Sequence, residues 1–291
     1  MTAPQTIGFI GIGAMGLPMA TNLANAGFQV LAYDRGRSRP LPEGMSTVET
    51  PAAAAAAGIV VTMLPDDAAL QSVSDGPDGV LAGLPNGGLH VSMSTISPSA
   101  SAGLAARHAD RDQHYLAATV FGRPDRAAEA KLWLVVAGPS ESVTRATPLF
   151  EAVSQGQFRV GDMPESANVV KLAGNFLISS MLEALGETYA LARKAGVSPT
   201  ELLNVLNTAV FNSPAYESYG QQVAERRFTP GFKLRLALKD LRLLLETADA
   251  RQTPMPLASL IHDQLLSGVA RGMGDMDWSA LTQVIADNAG D

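Results

Sequence analysis

The first half of the chain alternates short apolar runs with segments of helical periodicity. The apolar runs predict strands at residues 6–10, 28–33, 58–64, 89–93, 115–121 and 132–137, with a short last one at 158–160. Residues 52–57 and 99–108, which lie between predicted strands, are interpreted as helices. Because strands and helices alternate, we predict an α/β domain with a doubly wound, mostly parallel sheet.

The pattern changes near residues 162–164, and no convincing strand is found from residue 167 onward. One helical pattern covers residues 166–195 and ends at Gly196, a residue type that commonly terminates helices. Ser198, Pro199 and Glu201 are then typical of a helix start, with Ser198 as N-cap. Further helices are predicted at 234–250 and 259–271. We therefore predict an α/β domain at residues 1–162 and an all-α domain at 163–291, which begins with a long interdomain helix.

Composition narrows the classes of function. The chain has 291 residues, of which 46% are hydrophobic and 17% charged, as in a well-packed globular protein. Its net charge of −7 argues against a nucleic-acid partner. It has no cysteine, and its four histidines (His90, His108, His114 and His262) lack metal-ligand spacing, so we expect structural or surface histidines and no metal.

The N-terminal segment and the apolar runs bear on location. No uninterrupted apolar run reaches the roughly 18 residues of a membrane span. The first predicted strand begins at residue 6, which leaves no room for a signal peptide. We expect a cytoplasmic protein without a membrane partner.

The most informative motif follows the first predicted strand. Residues 8–16 read GFIGIGAMG and contain G-x-G-x-x-G between that strand and a helical pattern. In this context the first glycine allows a tight turn, the second lets the backbone approach a pyrophosphate, and the third lets helix and strand pack closely. The motif predicts a Rossmann domain that binds a dinucleotide through Gly11, Ile12, Gly13, Ala14, Met15 and Gly16.

The end of the second predicted strand bears on the choice of coenzyme. Asp34 stands where an acidic residue commonly bonds the adenine ribose, which favours NAD. Arg35, Arg37 and Arg39 follow at once, and arginine suits the 2′-phosphate of NADP. The arginines either bind that phosphate or only solvate a loop. We expect NADP in preference to NAD.

Two polar pairs lie on predicted helices of the second half. Lys171 and Asn175 are four residues apart and share a helix face. If the long helix lines an interdomain cleft, Lys171 would donate a proton to a carbonyl oxygen as hydride arrives at carbon. Lys239 and Asp240 interrupt a leucine-rich helix. On spacing alone, each pair is either an exposed helix face or a functional one.

Several segments together resemble the β-hydroxyacid dehydrogenase family, which includes 3-hydroxyisobutyrate dehydrogenases and is related to 6-phosphogluconate dehydrogenase and to imine reductases. The resemblance covers almost the whole chain. It is carried by GFIGIGAMGLPMA at 8–20, MLPD at 63–66, ST at 94–95 with Pro98, KLAGN at 171–175, KDL at 239–241 and GDMDWSA at 274–280.

The resemblance implies roles for individual residues. Lys171 would be the general acid/base and Asn175 its catalytic partner. The loop of Met63, Leu64 and Pro65 would pass the adenosine, and Thr95 would lie at the nicotinamide ribose. Lys239 would lie near cofactor and substrate with Asp240 beside it. The family pattern also implies a homodimer or homotetramer.

One departure concerns the substrate. The family loop usually reads DAPVSGG, and here residues 117–124 read AATVFGRP. Phe121 replaces the serine that binds a carboxylate, next to Gly122, and Arg123 replaces a small residue. Phe121 either fills the strand end or reshapes the substrate site. Arg123 either restores carboxylate binding or faces solvent.

These features predict an NAD(P)-dependent oxidoreductase that interconverts a small semialdehyde or keto acid and its hydroxy acid. Two alternatives remain open. An NADPH-dependent imine reductase would suit an apolar pocket, although those relatives usually carry aspartate or tyrosine in place of Lys171. A dinucleotide-binding protein without turnover would be expected to lack a catalytic residue, whereas Lys171, Asn175 and Lys239 are all present.

Overall fold

A computed structural model describes residues 5–36 and 40–291 of the chain. It divides into two compact units, Met1–Lys171 and Leu172–Asp291, called the first and the second unit below. The division falls at residue 171, inside a long helix, whereas the sequence pattern changes at residues 162–164. The predicted domain boundary at 162 stays a prediction.

The first unit is built on one sheet. Its strands are β1 (Thr6–Ile10), β2 (Gln29–Tyr33), β3 (Met45–Thr47), β4 (Ile59–Thr62), β5 (Leu89–Ser92), β6 (His114–Phe121), β7 (Leu132–Ala137) and β8 (Ser154–Gly161). In the described part of the chain these eight strands lie in the order β3-β2-β1-β4-β5-β6-β7-β8. Neighbouring strands are parallel except β6 and β7, which are antiparallel. The predicted doubly wound, mostly parallel sheet is confirmed.

Helices cover the sheet of the first unit. They are α1 (Gly16–Asn25), α2 (Pro51–Ala55), α3 (Asp67–Ser74), α4 (Val80–Gly83), α5 (Pro98–Ala109), α6 (Pro124–Ala128) and α7 (Ser140–Val153). The apolar face of α1 places Met19 and Leu23 in the core, where they pack in one cluster with Phe9 of β1. Burial of these three side chains holds the start of α1 against the end of β1.

The second unit is helical. Helix α8 (Glu165–Lys194) begins in the first unit, and α9 (Pro199–Leu206), α10 (Pro214–Ala224), α11 (Leu234–Ala250), α12 (Pro256–Ala270) and α13 (Leu281–Ala289) follow. Among the described residues after Gly161, the recorded β pairing is an isolated bridge between Lys233 and Asp277. The predicted all-α character of the C-terminal part is confirmed.

The ends of α8 and α9 test the predicted helix signals. Gly196 has φ +76°, the left-handed conformation expected after a helix end. Ser198 precedes α9 in extended conformation, but its side chain makes no capping hydrogen bond, so the predicted cap is wrong in that respect. Pro199 at the first helical position fixes φ, and the Ser198 carbonyl accepts from Leu202 N–H at 2.9 Å.

Helix α8 is long and apolar enough, by length and composition, to cross a membrane. It has 30 residues, and its most apolar window has a mean hydropathy of 1.3. The sequence prediction counted uninterrupted apolar runs, which this helix lacks. Half of the window is buried inside the protein, and core helices give the same signal, so the finding is weak evidence for a span.

A chain of buried polar side chains crosses the first unit. The imidazoles of His90 and His108, both 0% exposed, are joined at 2.9 Å from Nδ1 to Nε2. His90 Nε2 lies 2.9 Å from Thr62 Oγ1, and His108 Nδ1 lies 2.8 Å from Gln113 Oε1. The Gln113 amide donates to the Leu81 carbonyl, so its oxygen accepts from Nδ1–H of His108.

Burial dominates the charge state of both imidazoles. It lowers the pKa of His108 to about 4, and it lowers the pKa of His90 well below its ordinary value. This hydrogen-bonded row of uncharged side chains therefore joins β4, β5 and α5. No group of three or more His, Cys, Asp or Glu side chains placed to hold a metal occurs in residues 5–36 and 40–291.

Candidate functional site

The glycine turn lies between β1 and α1. Gly11 has φ +98°, and a Cβ there would lie 2.3 Å from the Met63 carbonyl oxygen. A Cβ on Gly16 would lie 1.8 Å from the Gly11 carbonyl oxygen, whereas one on Gly13 would meet nothing within 4 Å. The backbone at Gly11 and Gly16 is therefore too close for any side chain, and the backbone at Gly13 is open to a ligand.

The start of α1 leaves room for an anion. Met15 is its N-cap and makes no side-chain capping hydrogen bond among the described residues. Ile12 is buried beneath the turn, whereas Gly13 and Ala14 are exposed. A helix N-terminus without a side-chain cap offers N–H groups and the positive end of the helix dipole. The turn has the form that a pyrophosphate requires.

The end of β2 lies beside this turn. Gly11 N–H donates to the Tyr33 carbonyl at 3.0 Å, which brings the following residue, Asp34, near the glycine turn. Asp34 is half-buried and Arg35 is exposed. Arg37, which we predict to bind the cofactor, lies outside the described residues, as does Arg39. The described part of this loop thus presents one carboxylate and one guanidinium.

Two further loops follow β4 and β5 and are bonded to each other. Leu64 N–H donates to Ser94 Oγ at 2.9 Å. Asp67 accepts from Ser97 N–H at 2.8 Å and from Ser97 Oγ at 2.5 Å. Residues Met63–Pro65 and the half-buried Thr95 therefore lie on loops held at one edge of the sheet. Since a Cβ on Gly11 would meet Met63, the first of these loops also reaches the glycine turn.

Helix α8 brings Lys171 to the end of β6. Lys171 is 8% exposed, and its Nζ lies 4.2 Å from the centroid of the Phe121 ring. Thr119 Oγ1, two residues earlier on the same face of β6, donates to the Ala167 carbonyl of α8 at 3.2 Å. The ring face that replaces the expected serine is therefore occupied by the ammonium group.

Gly122 and Arg123 follow Phe121 at the turn after β6. Gly122 has φ +142°, and a Cβ on it would lie 2.5 Å from Leu132 Cδ2, so this turn requires glycine. Arg123 is half-buried and is the N-cap of α6, without a side-chain capping bond. The turn thus presents Phe121 on the α8 side of the sheet and Arg123 at a helix start.

A second polar cluster lies in the second unit. Asn175, 3% exposed, donates from Nδ2 to Asp240 Oδ2 at 2.6 Å. Asp240 is 1% exposed, and its Oδ1 lies 2.9 Å from Nζ of Lys239. Asn175 donates a hydrogen bond to one oxygen of Asp240 and Lys239 forms an ion pair with the other, so each oxygen of this buried carboxyl group has a polar partner.

The C-terminal motif GDMDWSA supports the helix that carries Lys239 and Asp240. Asp277 is 0% exposed and accepts from the N–H groups of Gly231 and Phe232 at 2.9 and 3.0 Å. It also accepts from Ser279 N–H and Oγ at 3.1 and 2.7 Å. Leu234, the first residue of α11, donates its N–H to the Met276 carbonyl at 2.9 Å. This carboxylate fixes the turn that leads into α11.

The predicted residues thus form three groups of contacts. In the first unit the glycine turn meets the Met63 loop, and Phe121 meets Lys171. In the second unit Asn175, Asp240 and Lys239 are bonded together. Sequence reasoning missed the link from Asp67 to Ser97 and a buried asparagine, Asn168, one turn before Lys171. An aspartate directly after the MLPD segment was the available signal for the first, and helix periodicity around Lys171 for the second.

Comparison with known proteins agrees with this geometry. Residues 6–167 match the model of the NAD binding domain of 6-phosphogluconate dehydrogenase. Residues 166–285 match the model described as NAD-binding of NADP-dependent 3-hydroxyisobutyrate dehydrogenase. Together these two models span most of the chain.

Two related proteins match this chain in sequence over nearly its full length. Uncharacterized oxidoreductase YfjR of Bacillus subtilis is 44% identical over 96% of this chain and 99% of its own. The 2-hydroxy-3-oxopropionate reductase of Escherichia coli is 32% identical, over 96% of each chain.

Solved structures share the fold over a similar extent. Mycobacterium tuberculosis 3-hydroxyisobutyrate dehydrogenase, solved with L-serine, is 28% identical over 97% of this chain and 99% of its own, with a TM-score of 0.87. An imine reductase from Myxococcus stipitatus shares the fold at 20% identity, over 97% of this chain and 99% of its own, with a TM-score of 0.64.

The glycine turn fits a dinucleotide, the two family models cover both units, and relatives above 30% identity match over almost the whole chain. The predicted family and enzyme class are therefore confirmed. The chain belongs to the β-hydroxyacid dehydrogenase family and is an NAD(P)-dependent oxidoreductase.

Proposed function

We propose that the protein reduces a small semialdehyde or keto acid to its hydroxy acid with NADPH, and that Lys171 is the general acid. The observation that carries this proposal is the ammonium of Lys171, 8% exposed on α8 and 4.2 Å from the Phe121 ring centroid. The name of the Escherichia coli relative, a 2-hydroxy-3-oxopropionate reductase, supports a semialdehyde substrate.

The residues of the glycine turn fit the dinucleotide. Side chains are sterically excluded at Gly11 and Gly16, Gly13 is open, and the N-terminus of α1 has no side-chain cap in the described chain. In this class the bound coenzyme supplies the hydride, so the protein contributes binding, orientation and proton management. Its own residues have to hold the carbonyl still and provide the proton.

Lys171 suits the proton step. Its buried stem and the face of Phe121 restrict where the ammonium can go, and a cation over an aromatic ring is favourable by about 0.5–2 kcal/mol. In reduction the ammonium would donate a proton to the carbonyl oxygen, and in oxidation the amine would remove the hydroxyl proton. Asn175 would orient the substrate oxygen from the next turn of α8, because Asp240 fixes its amide.

Roles for one lysine and two arginines complete the proposal. Lys239, held by Asp240, would bind the coenzyme ribose or the substrate anion. Arg123 would attract the substrate carboxylate from the turn after β6. The exposed Arg35 would contact the 2′-phosphate, so we infer a preference for NADPH over NADH. Measuring both dissociation constants in wild type and Arg35→Ala tests this preference, since only the NADPH affinity should fall.

An imine reductase is the second candidate. The observation that favours it is Phe121, which puts an aromatic face next to Lys171 where a serine hydroxyl is usual. An apolar cyclic imine would pack on such a ring better than a small hydroxy acid would. Lys171 itself favours a carbonyl substrate. Reduction of a carbonyl requires a proton donor to the oxygen, and imine reductases usually carry aspartate or tyrosine at this position.

The deciding experiment follows the absorbance of reduced nicotinamide with a panel of semialdehyde acids, keto acids and cyclic imines. Turnover of a carbonyl acid that is lost in Lys171→Ala supports the proposal. Turnover of imines alone, equal in wild type and Lys171→Ala, overturns it in favour of the second candidate. Tight NADPH binding without turnover of any compound in the panel contradicts both.

We also propose that two copies of the chain associate. Leu177 and Leu191 are 65% and 71% exposed on α8, and Val170 is 38% exposed. These positions are spaced by multiples of seven and lie along one helix face, as in helices that pair. Sedimentation should give a dimer or tetramer in wild type. A Leu177→Glu/Leu191→Glu variant should be a monomer, and an unchanged mass would exclude this face.

A further inference from the structure

Asn168 is a buried amide with unmet hydrogen bonds. It lies on α8, is 1% exposed, and neither Nδ2 nor Oδ1 has a hydrogen-bond partner in residues 5–36 and 40–291. An asparagine amide offers two donors and an oxygen with two lone pairs. Buried polar side chains almost always have a partner, so an amide without one requires an explanation, and a bound molecule that accepts from Nδ2 would supply it.

The position of Asn168 on α8 associates it with the catalytic residues. It precedes Lys171 by three residues and Asn175 by seven, so the three side chains follow one strip of the helix. Asn175 and Lys171 are themselves only 3% and 8% exposed. The low exposure of Asn168 therefore resembles that of the two residues to which we assign catalysis.

The first turns of α8 pack on the end of β6, where the usual serine is missing. Ala167, next to Asn168, accepts from Thr119 Oγ1 at 3.2 Å, and Lys171 lies over Phe121. Phenylalanine cannot donate a hydrogen bond, so the position on β6 that would bond a substrate carboxylate has lost its donor. The Nδ2 group of Asn168 is an uncharged donor on the helix that covers this strand end.

We propose that Asn168 is a substrate-binding residue, whose Nδ2 donates to a carboxylate oxygen of the carbonyl acid in place of a serine at position 121. The proposed substrates are therefore carbonyl acids that can reach both residues, with the carboxylate at Asn168 and the reacting carbonyl at Lys171, one turn further along α8. This proposal rests on the proposed function, because it places the substrate beside Lys171.

The first test replaces Asn168 with leucine, which has a similar size and no polar atom. KM for the carbonyl acid should rise roughly tenfold to hundredfold, the loss expected for a hydrogen bond to a charged group. The NADPH dissociation constant should be unchanged. The melting temperature should stay equal or rise, because the substitution removes a buried amide without partners.

Two results would overturn the proposal. A lower melting temperature with unchanged KM would assign Asn168 a structural role, for example around a buried water. A higher NADPH dissociation constant with unchanged KM would mean that Asn168 binds the coenzyme and not the substrate. Either result leaves the proposed function intact if Lys171→Ala is inactive, whereas an active Lys171→Ala variant contradicts the proposed function itself.

A second variant and a matched control complete the test. Asn168→Asp has nearly the same shape but carries a negative charge, so KM for the carboxylate substrate should exceed that of Asn168→Leu; an equal or lower KM contradicts the proposal. Ser179→Ala is the matched control. It removes a buried hydroxyl that, like the amide of Asn168, has no partner in the described chain, and Ser179 lies two turns beyond Lys171 on α8. It should keep wild-type kinetics, and a KM as high as that of Asn168→Leu would show a general effect of altering α8.

Discussion

The buried histidine chain should make the first unit sensitive to acid. His90 and His108 are neutral in the folded protein, where hydrogen bonds link Thr62, the two imidazoles and Gln113, and burial opposes protonation of either ring. Burial lowers the pKa of His108 to about 4, and Arg107 and Arg111 lower it in the same direction. In the unfolded chain a histidine has a pKa of about 6.5.

The sign and size of the effect follow from these two values. Below pH 6.5 the unfolded state binds more protons than the folded state, so the free energy of unfolding falls as the pH falls from about 6.5 to about 4. At pH 5 an unfolded histidine is almost fully protonated, whereas a folded one with a pKa near 4 is protonated in about a tenth of molecules. His108 alone therefore removes about 2 kcal/mol of stability between pH 7 and pH 5.

Urea unfolding at several pH values would measure this loss. Trp133 lies in the first unit and Trp278 in the second, so a Trp278→Phe background makes fluorescence report on the unit that holds the histidines. The His108→Gln variant should be less stable at pH 7 but should lose about 2 kcal/mol less on acidification. His262→Gln, on α12 of the second unit, is the control for replacing a histidine outside the unit that the fluorescence reports on. Equal pH dependence in the parent and His108→Gln would refute the reasoning.

Three substitutions test the roles of other residues. Phe121→Leu keeps an apolar side chain but removes the ring face, so kcat should fall about two- to thirtyfold if the ring positions Lys171, as steady-state kinetics would measure. Asp277→Ala removes the acceptor of four hydrogen bonds and should cost about 3–5 kcal/mol in urea unfolding. Gly13→Ala places a methyl group in open space, so the melting temperature should hold while NADPH affinity, followed by its fluorescence, falls at least about tenfold.

For each substitution, one result would contradict the prediction. An unchanged kcat in Phe121→Leu would remove the ring from the site. Wild-type stability in Asp277→Ala would mean that the turn before α11 is held by other contacts. For Gly13→Ala the control is Gly103→Ala on α5, where an added Cβ also meets nothing within 4 Å. Equal NADPH affinity in the two glycine variants would exclude the turn from phosphate binding.

Local signals predicted the elements that depend on local chemistry. Strand β1, the glycine turn and α1 follow from an apolar run, three spaced glycines and a helical face, and the structure has all three. Helix α11 has the bounds that its leucine pattern predicts, Leu234–Ala250. Strand β3 was missed because three residues are too few to show alternation, and its pairing with β2 decides its conformation.

Elements and site residues set by tertiary contacts were harder to predict. Strand β8 extends over Ser154–Gly161 because β7 pairs with it, although most of its side chains are exposed and give no apolar pattern. The bonds from Asp67 to Ser97 join residues thirty positions apart, which no local pattern encodes. Helix periodicity places Asn168 one turn before Lys171, but its burial and its lack of partners are visible only once the chain is folded.

The most direct test of the central claim is chemical rescue of Lys171→Ala with small amines. If Lys171 donates the proton, the variant should bind NADPH as wild type does, should turn over a carbonyl acid far more slowly, and should regain activity with added ethylammonium. Tetramethylammonium, which carries the charge but no proton, should fail to rescue. A variant that binds NADPH normally and stays inactive in ethylammonium, or that needs no rescue, would contradict the assignment of Lys171 as general acid.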